Sequence, residues 1–196
     1  MRNKVYIIIL VTCLFSCGLP YNKKTQFDTN DLLWLNAYNS GDTIYFSNNK
    51  DIDTLIITNK TINNPRNTFI FDLENNDWME GNHKYYANAD YEYKLYHNEV
   101  FDGILMVMQK IPEQKSAIIS FSFGGWYSNE LLLDNITSYI INNKKYEDCI
   151  IVNYTNSHPG KYQKILDLDF LIWCKSKGLI SYKLKDEDIY IKKDLY

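Results

Sequence analysis

Arginine is nearly missing from this 196-residue chain: Arg2 and Arg66 are its only two, against an overall formal charge of −3. Nucleic acid is bound mainly through neutralised phosphates, so an acidic, arginine-poor chain is excluded from that class. Bidentate clamps for carboxylates or phosphates are excluded for the same reason. Histidine is equally sparse. His83, His97 and His158 lie far apart, and none belongs to a His-Glu-x-x-His motif. There is no Gly-x-Ser-x-Gly elbow, no phosphate-binding glycine loop and no Cys-x-x-Cys pair, so the common nucleophile, nucleotide and zinc signatures are absent. No segment carries a long helical stripe, and no internal repeat or low-complexity block breaks the chain. The sequence predicts neither a metal nor a cofactor.

What is present begins at the N-terminus. Met1-Arg2-Asn3-Lys4 is positive, and Val5 to Ser16 is an apolar run. A helix of that length rises about 18 Å, short of the roughly 30 Å hydrocarbon slab, so it suits an export signal better than a permanent span. Leu14-Phe15-Ser16-Cys17 matches the bacterial lipobox, although Phe15 is bulkier than that motif usually carries. The thiol at the last position is the atom that receives lipid, and two or more acyl chains give stable anchoring. The expectation is a signal peptide over 1–16, lipidation of Cys17, a tether over 17–31 and one domain over 32–196. A secretory signal cut elsewhere and an uncleaved anchor are the alternatives. Loss of Arg2 and Lys4 with the signal takes the formal charge from −3 to −5.

After export only Cys149 and Cys174 remain in the domain, and an even pair in an oxidising compartment is a candidate disulfide. Register sharpens the case. Asp148–Asn153 and Leu168–Cys174 both read as strands. Paired antiparallel with Asn153 opposite Phe170, they bring Cys149 opposite Cys174. Cross-strand Cβ atoms then approach disulfide range. Two buried thiols are the alternative. Ile150, Ile151 and Val152 are apolar on both faces, so patterning leaves a one-residue slip open.

Period-2 alternation dominates the rest. From Lys84 to His97, Tyr85, Ala87, Ala89, Tyr91, Tyr93 and Leu95 share one face, with Asn88, Asp90, Glu92 and Lys94 on the other. Further strands are predicted at Thr43–Ser47, Thr54–Thr58, Thr68–Leu73, Gly103–Ile111, Ser116–Phe123, Glu130–Asp134, Ser138–Asn142, Leu179–Leu184 and Ile189–Lys192. Turn chemistry separates them, as at Asn39-Ser40-Gly41-Asp42, Asn142-Asn143 and Lys185-Asp186-Glu187-Asp188. The fold class is therefore mainly β: a single antiparallel domain with little helix, its curved sheet closing into a barrel, lipocalin-like, or a sandwich.

Two patches resemble a large group of β-rich lipoproteins of Bacteroidetes-type bacteria. One is Gly41-Asp42-Thr43-Ile44-Tyr45-Phe46, followed by Asp51-x-Asp53-Thr54; the other is Gly178-Leu179-Ile180-Ser181-Tyr182, running to Asp186 and Tyr190. The resemblance covers about a quarter of the mature chain and implies a β-rich lipoprotein with no particular activity. Surface-exposed members often carry acids just after the lipidated cysteine. Here Gly18 to Lys24 has two lysines and no acid, which leans towards the periplasmic face of the outer membrane.

Three function classes follow. The first is a non-enzymatic binding or structural envelope lipoprotein, whose partner would be an envelope protein, a glycan or a lipid. The second is a carrier of an apolar ligand, with Tyr85, Tyr91 and Tyr93 as candidate lining residues; the same rings equally suit a core. The third is a glycan or cell-wall hydrolase using Asp51/Asp53, Asp167/Asp169 or Asp186/Asp188 as general acid and base. Asp72, Glu74 and Asp77 form a loop that calcium could accept, though a solvated acidic loop is the simpler reading.

Overall fold

A computed structural model describes residues 23–64, 84–111, 114–133, 136–154, 158–159 and 165–193. The predicted strand Thr68–Leu73, the acidic loop at 72–77 and Cys17 lie outside these residues. The chain begins with β1 (Lys23–Lys24), α1 (Thr29–Leu33), β2 (Thr43–Ser47) and β3 (Ile52–Asn63). Next come β4 (Lys84–Tyr85), β5 (Ala87–Tyr96), β6 (Val100–Lys110), β7 (Ile118–Phe123), β8 (Trp126–Tyr127) and β9 (Leu131–Leu132). It ends with β10 (Thr137–Ile141), β11 (Lys144–Asn153), β12 (His158–Pro159), β13 (Leu168–Cys174), β14 (Gly178–Leu184) and β15 (Ile189–Lys192). Thirteen of these strands form one sheet in the order β10-β11-β13-β14-β15-β2-β3-β5-β6-β7-β8-β12, with β9 also on β7. Every pairing in it is antiparallel. β1 and β4 make a separate parallel pair.

Alternation decides which face is dry. Along β5, Ala87, Ala89, Tyr91, Tyr93 and Leu95 are all buried, while Asn88, Glu92 and Lys94 are exposed. One sheet cannot bury a face alone, so this one folds over itself. Phe121 on β7 meets Trp173 on β13 at 5.5 Å between ring centroids, and Phe123 meets Tyr182 on β14 at 5.0 Å. Six strands lie between β7 and β13 in the sheet order, so these contacts join two opposed layers in a sandwich-like arrangement. The barrel alternative does not hold. Among the described residues the hydrogen-bonded order ends at β10 on one side and β12 on the other, with no closing ladder between them.

The folded part begins earlier than the polar composition of 17–31 suggests. Asp28 caps α1 by accepting from the Asp31 amide at 2.9 Å, and Asp31 returns the bond to the Asp28 amide at 3.0 Å, a complete capping box. Both carboxylates also accept from Lys110 Nζ at the end of β6. Burial alone would lower the Lys110 pKa, but the two acids outweigh it and raise it. Beyond the helix, Trp34, Leu35 and Tyr38 enter the core. The Tyr38 hydroxyl donates to Leu179 O at 3.0 Å, and its ring packs on Gly178. Gly178 has φ +70°, and a Cβ there would sit 2.5 Å from the Tyr38 ring, so only glycine fits.

β11 and β13 pair in the register expected from the sequence: Asn153 opposite Phe170 and Cys149 opposite Cys174. The two sulfurs are joined as a disulfide with Cα atoms 4.0 Å apart. These strands are apolar on both faces because each side has something to bury. Ile150, Val152, Leu171 and Trp173 face the main core; Cys149, Ile172, Cys174 and Ile180 form a second cluster with Ile141 and Tyr146. The β10–β11 hairpin supplies those last two through a tight turn in which Asn142 (φ 49°) and Asn143 (φ 62°) are both left-handed.

The bridge closes a loop with a sequence separation of 25. Chain entropy then assigns it about 3–4 kcal/mol. Urea denaturation of the Cys149→Ala/Cys174→Ala double variant should show a loss of that size, and a loss under about 1 kcal/mol would mean that the unfolded chain gains little freedom.

Candidate functional site

The strongest polar constellation lies at the sheet end formed by the β2–β3, β5–β6 and β14–β15 turns. Asp53, on β3, is 2% exposed. His97 follows β5 directly and faces Asp53, since Thr54 already pairs with Tyr96 in the β3–β5 ladder. Its Nδ1 lies 3.0 and 2.9 Å from the two carboxylate oxygens. Tyr182, from β14, donates its hydroxyl to the same carboxylate. The Tyr182 ring stacks on Tyr190 with centroids 4.9 Å apart and planes 3° apart, and Tyr190 donates to Glu187 Oε2 at 3.0 Å. His97 meets the Tyr190 ring edge-on at 5.8 Å.

The electrostatics follow from burial. Desolvation raises the Asp53 pKa, while the bonds from Tyr182 and His97 act against it. Desolvation first, and then the Asp53 charge, drive the Tyr182 hydroxyl well above its ordinary range. A carboxylate that holds an imidazole by Nδ1 is the orienting half of a nucleophile-activating triad. Among the described residues the other ring nitrogen meets Asn98 Nδ2 at 3.3 Å, and not a serine or cysteine. The Ser47 hydroxyl, on neighbouring β2, donates to Asp51 O, and the described cysteines are tied as the disulfide at the opposite end of the sheet. Among the described residues no three His, Cys, Asp or Glu side chains converge as metal ligands. The arrangement ties two turns and β14 together through one buried charge.

The residues singled out from sequence are distributed as follows. Tyr91 and Tyr93, candidate ligand-lining residues, are core residues instead. Tyr91 packs against Trp173 at 5.9 Å and donates to Leu35 O, and Tyr93 stacks on Phe123 at 5.6 Å and accepts from the Gly124 amide at 2.7 Å. The reason is the folded-over sheet, whose second layer occupies the space a ligand would need. Of Tyr85 only the backbone in β4 is described. The carboxylate pairs do not face each other as acid and base. Asp167 and Asp169 pair with Lys185 and Lys183 at 2.8 and 3.3 Å, Asp188 pairs with Lys50 at 2.9 Å, and exposed Asp51 is parted from buried Asp53. His97 was not distinguished from the other histidines by sequence. The signal that finds it is the β3–β5 register, which sets Asp53 beside it.

Open depressions mark the surface of the described residues. One, of about 280 Å³, is lined by Tyr38, Asp42, Ile44, Tyr45, Lys192 and Lys193. Another, of about 530 Å³, lies over β3, β5 and β6 where Gly103 has φ +150°, and is lined by Thr58, Glu92, Lys94, Asp102 and Ile104. Both are open to solvent, unlike the concave pockets that bury most of a small ligand.

No family model matches the chain, and no curated protein and no solved structure shows a significant match to it.

Removing the Asp53 carboxylate leaves the Tyr182 hydroxyl and the His97 ring without their acceptor, so Asp53→Ala should cost about 2–4 kcal/mol in urea denaturation. Asp53→Asn keeps an acceptor for Tyr182 and isolates the charge. A carboxyl whose folded pKa lies above its unfolded value contributes stability that is present below the unfolded pKa and lost as pH rises through the folded one. Wild type should therefore lose stability relative to Asp53→Asn as pH rises upward from about 4. A difference that grows the other way would mean that the hydrogen bonds outweigh desolvation.

Proposed function

We infer that this chain is a lipid-anchored protein of a bacterial envelope, acting without catalysis as a binding or structural module. The observation that carries the reading is the N-terminal sequence: a positive start, a short apolar run and Leu14-Phe15-Ser16-Cys17. Two features favour this reading over the carrier and hydrolase alternatives. The interior between the two layers is filled by Tyr91, Tyr93, Phe121 and Trp173, whereas a carrier of apolar ligands needs that space empty. Of the carboxylates a glycan hydrolase would use, Asp167, Asp169 and Asp188 are engaged with surface lysines and Asp53 with His97 and Tyr182.

Palmitate labelling of the chain expressed in a bacterium tests the anchor. Wild type should incorporate label and sediment with membranes, and Cys17→Ala should lose the label. An unmodified mature terminus at any other residue would overturn the reading.

A further inference from the structure

The outward face of β2, β3, β5 and β6 is of two kinds. One half carries what a wet sheet face ordinarily carries: Asn59, Thr61 and Asn63 on β3 stand opposite Glu92, Asp90 and Asn88 on β5. In the other half the outward positions turn apolar. There the ladders set Tyr45, Thr54, Tyr96 and Val100 in one row, each directly opposite the next. Ile52 lies on one side of this row and Ile56 on the other, both on β3. Tyr45, Ile52, Tyr96 and Val100 are each between 42% and 55% exposed. Their inward neighbours Phe46, Leu55 and Leu95 are fully buried, so this half of the sheet is apolar on both of its faces.

Half-exposed side chains of this size leave roughly 400 Å² of apolar surface in one patch. A standard interface buries about 800 Å² on each partner, a little over half of it apolar, so the patch is of the size that one such interface needs. The row is also complementary to itself. Large and small side chains alternate along it, in the order Tyr45, Thr54, Tyr96, Val100. A two-fold axis parallel to the strands, passing between β3 and β5, reverses that order in a second copy. Tyr45 then falls on Val100 of the second copy, and Tyr96 falls on its Thr54. Every ring meets a small side chain, and no two rings collide. In the adjoining row Thr43–Ile56–Lys94–Asp102, Ile56 meets the aliphatic stem of Lys94. Sheets stack face to face about 10 Å apart with strand directions within about 30°, a geometry that two equally twisted faces satisfy.

We propose that this face is the contact between two copies of the chain, a two-fold dimer in which the Tyr45–Thr54–Tyr96–Val100 row packs on itself. The contact is isologous, so both patches are covered at once and assembly stops at two. It goes beyond the lipoprotein reading and does not depend on it. The two remain compatible, because an axis along the strands sets Lys23 at the same end in both copies, and two lipid anchors could enter one membrane.

The test uses residues 17–196 carrying Cys17→Ser, so that neither the apolar N-terminal run nor a lipid contributes. Sedimentation equilibrium should show a reversible monomer–dimer exchange, with dimer abundant by about 100 µM and no larger species. Because the contact is apolar, raising salt from about 50 mM to about 500 mM should not weaken it. Tyr45→Lys/Tyr96→Lys should weaken the association at least tenfold, since closing the contact would bury unpaired charges. Asn63→Lys/Gln109→Lys adds the same charge with the same two-strand spacing in the polar half, and should change it less than about threefold. All four positions are exposed, and far-UV circular dichroism checks that both variants remain folded. A wild-type chain that stays monomeric at every concentration overturns the dimer whatever the variants do. Assembly beyond two, or equal losses in both variants, overturns it as well.

Discussion

Trp173 stands where the two layers of a single sheet meet, and the rest of the fold is arranged to keep it dry. Its ring contacts Tyr38 from the segment after the helix, Tyr91 from β5 and Phe121 from β7. Edge and tilted contacts of this kind add to simple area burial. Because the sheet is continuous from β13 round to β7, this cluster is a place where distant parts of the chain are neighbours. Tyr38 matters most among them, since it also ties to Leu179 and requires glycine at 178. Displacing it would open the core and free the N-terminal segment together.

Among the described residues, two buried charged networks stand at the two ends of this aromatic layer. At one end Lys110 satisfies the helix cap, and at the other Asp53 gathers His97 and Tyr182. Each network joins elements far apart in sequence, and each costs desolvation that its own hydrogen bonds offset. Such networks contribute more to which strands sit together than to net stability. That division of labour fits a domain whose interior is packed with rings.

Local chemistry was legible wherever it repeats along the chain. The alternation in β5 revealed the buried face, and the apolar runs flanking Cys149 and Cys174 contained their register, because both strands obey a period of two. The choice between barrel and sandwich was not legible. It depends on whether β10 and β12 find each other, which no local pattern encodes. The Asp53–His97 pair was hidden for a different reason. The β3–β5 ladder slips by one residue between Ile57 and Asn59, so counting back from the far end of the hairpin places His97 on the wrong partner. Tyr182 reaches the same carboxylate from the other end of the chain, a contact that only the folded-over sheet creates. The early start of the fold was masked by composition, since Asp28, Asp31 and Lys110 read as solvent residues until they are seen bonded together.

The disulfide also changes what the chain is after damage. Cys149 and Cys174 bracket the whole connection between β11 and β13. A single cut anywhere between the two cysteines severs the backbone without releasing either half. The fragment bearing β13, β14 and β15 stays covalently attached to the fragment that carries Cys17. A protease acting there would leave a two-chain protein of unchanged mass, apart from one added water, until a reductant separates the halves.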